Sequence, residues 1–381
     1  MNASVIGVGS TKFREHWELG IKDMIREASN NALKSANVEL KYIDSVFVAN
    51  CFSSLINGQN NLNAVCSDML GIDNSFSVGG GDSSGSYAIL QAANAIVSGA
   101  SKIALVIGVE KMSDLGTNDV IEAVSQFIDH ENEADNGATL ASLFAMITNK
   151  HMEEHGTTDK QLDMVSIKNH ANAVENDIAQ FRFNITRDDI IKSPMISTPL
   201  RVLHSAAYGD GCCAVVMCSS EEAKKHPIKI DLIGYGVGYD LLAVHEREDI
   251  TNFNAVKTAA KKAFEKAKIK PEAISFAELY DAFSISEIIS IEAIGFAKKG
   301  MGGKFIEEGK ANLNGKTPIN PSGGLKGCGH PLAATGIRQA IEAFCQLNNS
   351  AGNRQVKNPK YALTETISGT GATAVVIIFS K

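Results

Sequence analysis

The chain carries one tryptophan and only 8 prolines in 381 residues. With 33 glycines beside so few prolines, the glycine is expected in tight turns, not in low-complexity sequence. No block of Lys and Arg offers a track for phosphates, and a net charge of -7 argues against nucleic-acid binding. The apolar runs are too short to span a bilayer. The start, MNASVIGVGSTKF, has neither the charged opening nor the long apolar core of a signal peptide. These absences lead to the expectation of a cytoplasmic protein without membrane or nucleic-acid partners. No CxxC pair occurs among the seven cysteines, which weakens zinc and redox readings. The GCCAVVMC run, with Cys212, Cys213 and Cys218, reads as a strand holding buried free thiols. His151, His155 and His170 stand beside charged residues on expected helices. They read as solvated helix faces without the carboxylate company of a metal site.

What is present is a repeat. Residues 32–52, ALKSANVELKYIDSVFVANCF, align without a gap to residues 263–283, AFEKAKIKPEAISFAELYDAF, at a constant offset of 231. Ala32 meets Ala263, Ala36 meets Ala267, Ile43 meets Ile274 and Phe52 meets Phe283. Each stretch reads as a helix end, a turn and an apolar strand. A Gly-punctuated strand precedes each, SVIGVGSTKF in one half and IKIDLIGYGVGYD in the other. Each half then adds a Gly-rich turn opening a helix, expected through about Val97 in the first. A strand follows, expected over Ile103–Gly108 in the first half and as ATAVVIIF in the second. Alternating strands and helices in duplicate predict an α/β protein with layered sheets and helices. The expected halves are residues 1–225 and 226–381. A polar, mostly helical insertion at about 113–200 belongs to the first half and is of the kind that covers an active site.

Four segments could carry chemistry. In SGGLKGCGHPLAATG, Gly329, His330 and Pro331 place a histidine just before a helix, in a tight loop. A neutral imidazole there can donate a hydrogen bond to a carbonyl oxygen or accept a proton. In GGGDSSG, a Gly-rich turn opens a helix at Asp82, and backbone N–H groups there favour an anion. Asp82 is equally suited to cap that helix. In YDAF, Tyr280 ends a strand and could donate to an enolate; an edge-of-core tyrosine is the plainer alternative. In TETISGTGATAVVI, Glu365 is a candidate acid or base and Gly369 a point of close backbone approach, unless the segment is a simple turn.

The stretches IGVGSTKF, SGASKIALVIGVEKMSD, NGKTPINPSGGLKGCGHPLAATG and GTGATAVVIIF resemble the thiolase superfamily over the whole chain. The resemblance is greatest to archaeal acetoacetyl-CoA thiolases of the sterol-carrier-protein type. It implies a thiolase fold, five layers in the order αβαβα with duplicated halves and a loop domain over the site. It implies acyl-CoA as substrate or ligand, no resident cofactor or metal, and a place in lipid metabolism. It also implies a homodimer or dimer of dimers. A small zinc-ribbon/OB-fold protein and hydroxymethylglutaryl-CoA synthase are the implied partners.

The family's GHP histidine falls on His330. Its Cys-Ala-Ser-Gly motif, which holds the nucleophile, falls on Asp82, Ser83, Ser84 and Gly85. Its His-Asp-Cys-Phe motif falls on Tyr280, Asp281, Ala282 and Phe283. Its His-Asn-x-Gly-Gly motif falls on Glu365, Thr366, Ile367, Ser368 and Gly369. The resemblance therefore implies catalytic positions at His330, Asp82, Tyr280 and Glu365. Backbone or oxyanion positions are implied at Gly369, Gly329 and Ser83, and substrate contacts at Asp281, Phe283, Ser322 and Gly323.

Three of the four motifs are changed, and the nucleophilic cysteine is an aspartate. A thiolate attacks and leaves well near neutral pH, whereas a carboxylate would form a mixed anhydride. At a helix N-terminus Asp82 is expected to be ionised and to repel an enolate. An acetyl-CoA acyltransferase label comes first on similarity, without the usual cysteine mechanism. A CoA-binding scaffold subunit and a thiolase-like aldolase acting on β-hydroxyacyl-CoA are the alternatives.

Overall fold

The computed structural model describes residues 3–381. The first half runs β1 (Ala3–Ser10), α1 (Ile21–Ala36), β2 (Ser45–Ala49), α2 (Ser53–Ile56), α3 (Leu62–Leu70), β3 (Ser75–Val78), α4 (Ser84–Val97) and β4 (Ile103–Glu110). The insertion follows with α5 (Thr117–Val124), α6 (Leu140–His155), α7 (Asp159–Ala173), α8 (Arg187–Lys192) and the small pair β5 (Met195–Ser197) and β6 (Leu200–Arg201). The chain re-enters the main sheet at β7 (Gly211–Ser219). The second half runs β8 (Ile230–Tyr239), α9 (Asn254–Ala267), β9 (Phe276–Glu278), α10 (Ser284–Ile294), α11 (Gly302–Glu307), α12 (Gly324–Cys328), α13 (Ala334–Leu347), β10 (Tyr361–Ser368) and β11 (Thr373–Ser380).

Strand order is β3-β2-β4-β7-β1-β8-β11-β10-β9. Outward from the central β1/β8 junction the two wings repeat each other. β1 with β7 and β8 with β11 are antiparallel, as are β7 with β4 and β11 with β10. Beyond them, β4 with β2 and β10 with β9 are parallel. The wings join through a short ladder in which Ala3–Val5 pair with residues 230–232. The 231-residue offset seen in the sequence holds in space. Helix α1 ends at Asn37 and α9 at Lys268, both left-handed with φ 53° and 56°. A short 3-10 turn and a strand follow each, at the same offset.

Close helix–sheet approach explains the Gly-punctuated first strands. A β-carbon on Gly9 of β1 would lie 2.3 Å from the Ala28 carbonyl oxygen of α1, and one on Gly236 of β8 would lie 1.9 Å from that of Ala259 in α9. Neither fits, so small residues on both elements let the outer helices lie flat on the sheet. Helices α4 and α13 lie between the wings and bury apolar faces against strands of both. The layers are outer helix, strands, paired central helices, strands, outer helix. β7 is covered on both sides, which is why GCCAVVMC reads as a continuous apolar run. Cys213 faces the central helices, and Cys212 and Cys218 face the α1 layer. All seven cysteines are free thiols.

Two helices of the insertion correct the sequence reading. His151 of α6 is fully buried, with Nδ1 2.8 Å from the Thr157 hydroxyl and Nε2 3.4 Å from Glu292 of α10. His170 of α7 is also buried, and burial pushes its imidazole down to about 4. These histidines face the body of the protein, because the insertion folds back onto α10 and the loop before α12. Among the described residues no helix is long and apolar enough to cross a membrane, and no cluster of His, Cys, Asp and Glu could hold a metal.

Candidate active site

Asp82 and His330 come from the two Gly-rich turns that open α4 and α13. These helix starts touch: a β-carbon on Gly85 would lie 2.2 Å from the Ala333 carbonyl oxygen. Only glycine permits that approach, and it sets the two turns side by side. The YDAF segment leaves β9 beside them and inserts Tyr280 between. The Tyr280 hydroxyl lies 2.9 Å from Asp82 Oδ2 and 3.2 Å from His330 Nε2. His330 Nδ1 lies 2.9 Å from the Thr335 hydroxyl. All three central side chains are buried, at 1%, 3% and 1% exposed for Asp82, Tyr280 and His330.

Burial sets the protonation states. Burial, with a smaller push from Arg338, takes His330 down to about 3, so its imidazole is neutral. Burial raises Asp82 to about 7; Tyr280 and the nearby Gly369 N–H oppose the rise, and Glu110 adds to it. Asp82 is therefore not the fully ionised helix-end carboxylate that the sequence suggests: loss of water outweighs the helix dipole. Tyr280 is held well above the usual phenol range by burial and then by Asp82. The partners assign one consistent chain of protons. Thr335 O–H donates to Nδ1, Nε2–H donates to the phenol oxygen, and the phenol O–H donates to Asp82 Oδ2. Asp82 does not cap α4, whose N-cap position is Ser83. Asp82 Oδ1 has no hydrogen-bond partner among the described residues.

Glu365 stands behind Tyr280 in β10. Its Oε2 accepts the Tyr280 N–H at 2.7 Å and its Oε1 accepts the Ser290 hydroxyl at 3.2 Å. Burial raises it to about 8, so it is largely protonated at neutral pH and fixes the Tyr280 backbone. Gly369, with φ 60°, turns its backbone toward Asp82 between β10 and β11. Ser83 is fully buried, with a hydroxyl that has no partner among the described residues. Gly329 has φ 89°, and a β-carbon there would lie 2.3 Å from Gln180 Oε1.

The residues expected to touch substrate also make contacts within the protein. The Asp281 carboxylate accepts N–H groups from Leu325 (2.6 Å) and Lys326 (3.2 Å) and the Asn169 amide (2.7 Å), which fixes α12. The Ser322 hydroxyl donates to Glu278 at 2.6 Å and accepts the Gly324 N–H at 3.2 Å. Gly323, with φ 107°, packs under Ala173 of α7. Phe283 stacks on Phe144 of α6 with ring centroids 4.5 Å apart. Asp281 and Ser322 thus fix α12 and the start of the GHP loop, and Phe283 and Gly323 pack on the insertion.

Four further groups escaped the sequence reading. Tyr208 stacks on the His330 imidazole at 5.6 Å between centroids. Glu110, at the end of β4, accepts the N–H groups of Cys51 (3.0 Å) and Phe52 (2.9 Å); burial raises it to about 7. Cys51 lies at the edge of the site, donating to the Gly81 carbonyl at 3.1 Å, and Phe127 of the insertion stacks on Phe52 at 4.9 Å. Glu110 sits in the VEKM stretch at a strand end, a signal open to reading; nothing local marks Cys51, Tyr208 or Phe127.

The Thiolase N-terminal domain model matches residues 3–221 and the Thiolase C-terminal domain-like model matches residues 236–381. The chain belongs to the thiolase family. An acetyl-CoA acetyltransferase of Methanothermobacter thermautotrophicus is 40% identical over 385 residues, covering all of both chains. A second acetyl-CoA acetyltransferase, from Methanocaldococcus jannaschii, is 39% identical over all of this chain and 99% of its own length. Among solved structures, the "Ltp2-ChsH2(DUF35) aldolase" superposes with a TM-score of 0.86 at 22% identity, covering 99% of this chain and 97% of that one. That last likeness is one of fold. Within this thiolase framework, the turn that opens α4 holds a buried carboxyl group hydrogen-bonded to a tyrosine.

Proposed function

We propose that this thiolase-family protein binds an acyl-CoA thioester and makes or breaks a carbon–carbon bond by acid–base chemistry of the aldol type. No acyl group is carried on the enzyme. One observation carries the reading: the Tyr280 hydroxyl bridges the Asp82 carboxyl and the neutral His330 imidazole. That arrangement stores and moves a proton but holds no nucleophile.

The chemistry suits a β-hydroxyacyl-CoA. Ionised Asp82, with Oδ1 free, accepts the β-hydroxyl proton. The bond between the α- and β-carbons breaks, giving a carbonyl compound and the enolate of a shorter acyl-CoA. Once Asp82 has taken the proton, the Tyr280 O–H turns from it to donate to the enolate oxygen, with the His330 Nε2–H still donating to the phenol oxygen behind it, and the proton held at Asp82 returns to the α-carbon. The reverse sequence forms the bond. An acyltransferase route through cysteine has little support from the thiols near the site. Burial, Glu110 and Asp82 all raise the Cys51 thiol well above its ordinary value, and burial raises Cys328 to about 11. Neither supplies a thiolate near neutral pH.

A partner subunit and self-association belong to the same proposal. The solved neighbour is named as an assembly containing a DUF35 protein, and family resemblance implies a small zinc-ribbon/OB-fold partner. The closed site favours one second reading, a CoA-binding subunit without turnover. The test is incubation of the purified chain with β-hydroxyacyl-CoA thioesters, alone and with such a partner. Release of a shorter acyl-CoA that disappears in Tyr280→Phe supports cleavage. Binding without release in every combination supports the subunit reading.

A further inference from the structure

Glu110 ends β4 with its side chain buried, and its carboxyl reaches across the two halves of the chain. Oε1 accepts the Phe52 N–H at 2.9 Å and the Asn50 side-chain amide at 3.0 Å. Oε2 accepts the Cys51 N–H at 3.0 Å and, at a longer 3.4 Å, the N–H of Ala333. The Cys51 thiol donates to the Gly81 carbonyl at 3.1 Å and lies 3.6 Å from the Ser84 hydroxyl, so it spans the turn that carries Asp82. Ala333 is the N-cap of α13, and its carbonyl oxygen is the group against which Gly85 packs. One carboxyl thus ties the Cys51 turn of the first half to the GHP helix of the second, and the Asp82 turn packs on both.

The donors favour a charged Glu110, burial opposes it, and no cation among the described residues offsets that charge. The Lys111 ammonium is engaged by the His16 carbonyl at 2.9 Å and Asp114 at 2.9 Å, and the Arg338 guanidinium of α13 by Glu278 at 2.9 Å. The ionisable groups facing Asp82 are Tyr280, His330, Tyr208, Cys51 and Glu110. His330 is neutral, and the two phenols and the thiol keep their protons. Glu110 alone of these brings a charge, and it is of the same sign as that of Asp82.

We infer that Glu110 is a positioning residue of the site, clasping the Cys51 turn to the start of α13 and forming with Asp82 an acidic pair in which charge on one opposes charge on the other. The base role of Asp82 rests on the proposed acid–base reading. Glu110 acts through Asp82: its charge keeps Asp82 protonated to higher pH, and a neutral side chain in its place frees the base at lower pH.

The experiment has two arms on the full chain. The first is the pH profile of cleavage of 3-hydroxybutyryl-, 3-hydroxyhexanoyl- and 3-hydroxyoctanoyl-CoA by wild type, Glu110→Gln and Glu110→Asp. The midpoint is expected to fall by about 0.5–1 pH unit in Glu110→Gln and to stay in place in Glu110→Asp, which keeps the charge. A clasp that is only structural lowers the rate or the Tm of these variants without moving the midpoint. The second arm needs no turnover. It is an infrared titration of protein carrying 13C-carboxyl glutamate, with the Glu110 band identified by its loss in Glu110→Asp. Coupling is reciprocal, so in Asp82→Asn that band is expected to titrate at lower pH than in wild type. This arm decides the inference even if Glu110→Gln does not fold. An unmoved midpoint in Glu110→Gln, or an unmoved Glu110 band in Asp82→Asn, overturns the inference and leaves the acid–base reading standing. No cleavage by wild type together with a moved band overturns that reading and leaves the acidic pair in place.

Discussion

The Tyr280 hydroxyl donates to Asp82 Oδ2 at 2.9 Å, joining a residue of the second half to the helix-opening turn of the first. The bond holds the Asp82 carboxyl group at the start of α4 and links it through the phenol to the GHP histidine. Tyr280→Phe removes the donor and leaves a ring of the same shape. Cleavage is expected to fall by about 10²–10⁴-fold. Affinity for acyl-CoA should change little, so the split between kcat and binding reports the role.

The rate should follow the ionisation of Asp82. Its carboxyl, raised to about 7, must be charged to accept a proton. Cleavage is expected to climb through pH 7 and level off above it. In Tyr280→Phe the residual profile should move to higher pH, because the bond that favours the charged form is gone. A profile flat from pH 5 to 8 in the wild type removes Asp82 as the base.

Glu365 links the site to stability. Its folded pKa of about 8 lies above the ordinary carboxyl value of 4.5. Between those values the native state holds a proton that the unfolded chain has released. Its contribution is full below pH 4.5 and is lost as pH rises through about 8. Glu365→Gln keeps a neutral group in place and is expected to reduce the loss of Tm between pH 5 and 9, read by thermal melts at matched ionic strength.

Asp281 should behave as a structural anchor. Asp281→Ala leaves the Leu325 and Lys326 N–H groups and the Asn169 amide without their buried acceptor. A loss of about 3 kcal/mol is expected. Denaturant unfolding measures it, and Asp281→Asn should recover part.

Restoring a thiol should restore the family's other chemistry. In Asp82→Cys the sulfur takes the place of the carboxyl carbon, whose Oδ1 now lies 3.8 Å from His330 Nε2. Thiolysis of acetoacetyl-CoA by free CoA is expected in this variant and not in the wild type. Equal inactivity of both indicates that Tyr280 blocks the acyl position, and Asp82→Cys with Tyr280→His tests that.

The duplicated halves were legible because the 231-residue offset is a spacing, and spacing survives folding unchanged. The GHP and GGGDSSG turns were legible because glycine before a helix has few uses. The direction of Asp82 was not, since capping and pointing inward use the same residue in the same turn. The internal contacts of Asp281 and Ser322 were not legible, because the residues that make them stand elsewhere in the chain. Only three-dimensional packing shows that α12 and Glu278 engage them. His151 and His170 looked solvated because their sequence neighbours are charged; α10 and the aromatic residues that bury them lie far away in the chain.

The most direct test of the central claim is the intact mass of the protein during turnover of a β-hydroxyacyl-CoA, quenched in acid. The account predicts release of shorter acyl-CoA while the protein stays at its unmodified mass. An acyl adduct that forms and decays at the turnover rate, mapped to Cys51 or any other thiol, would contradict it.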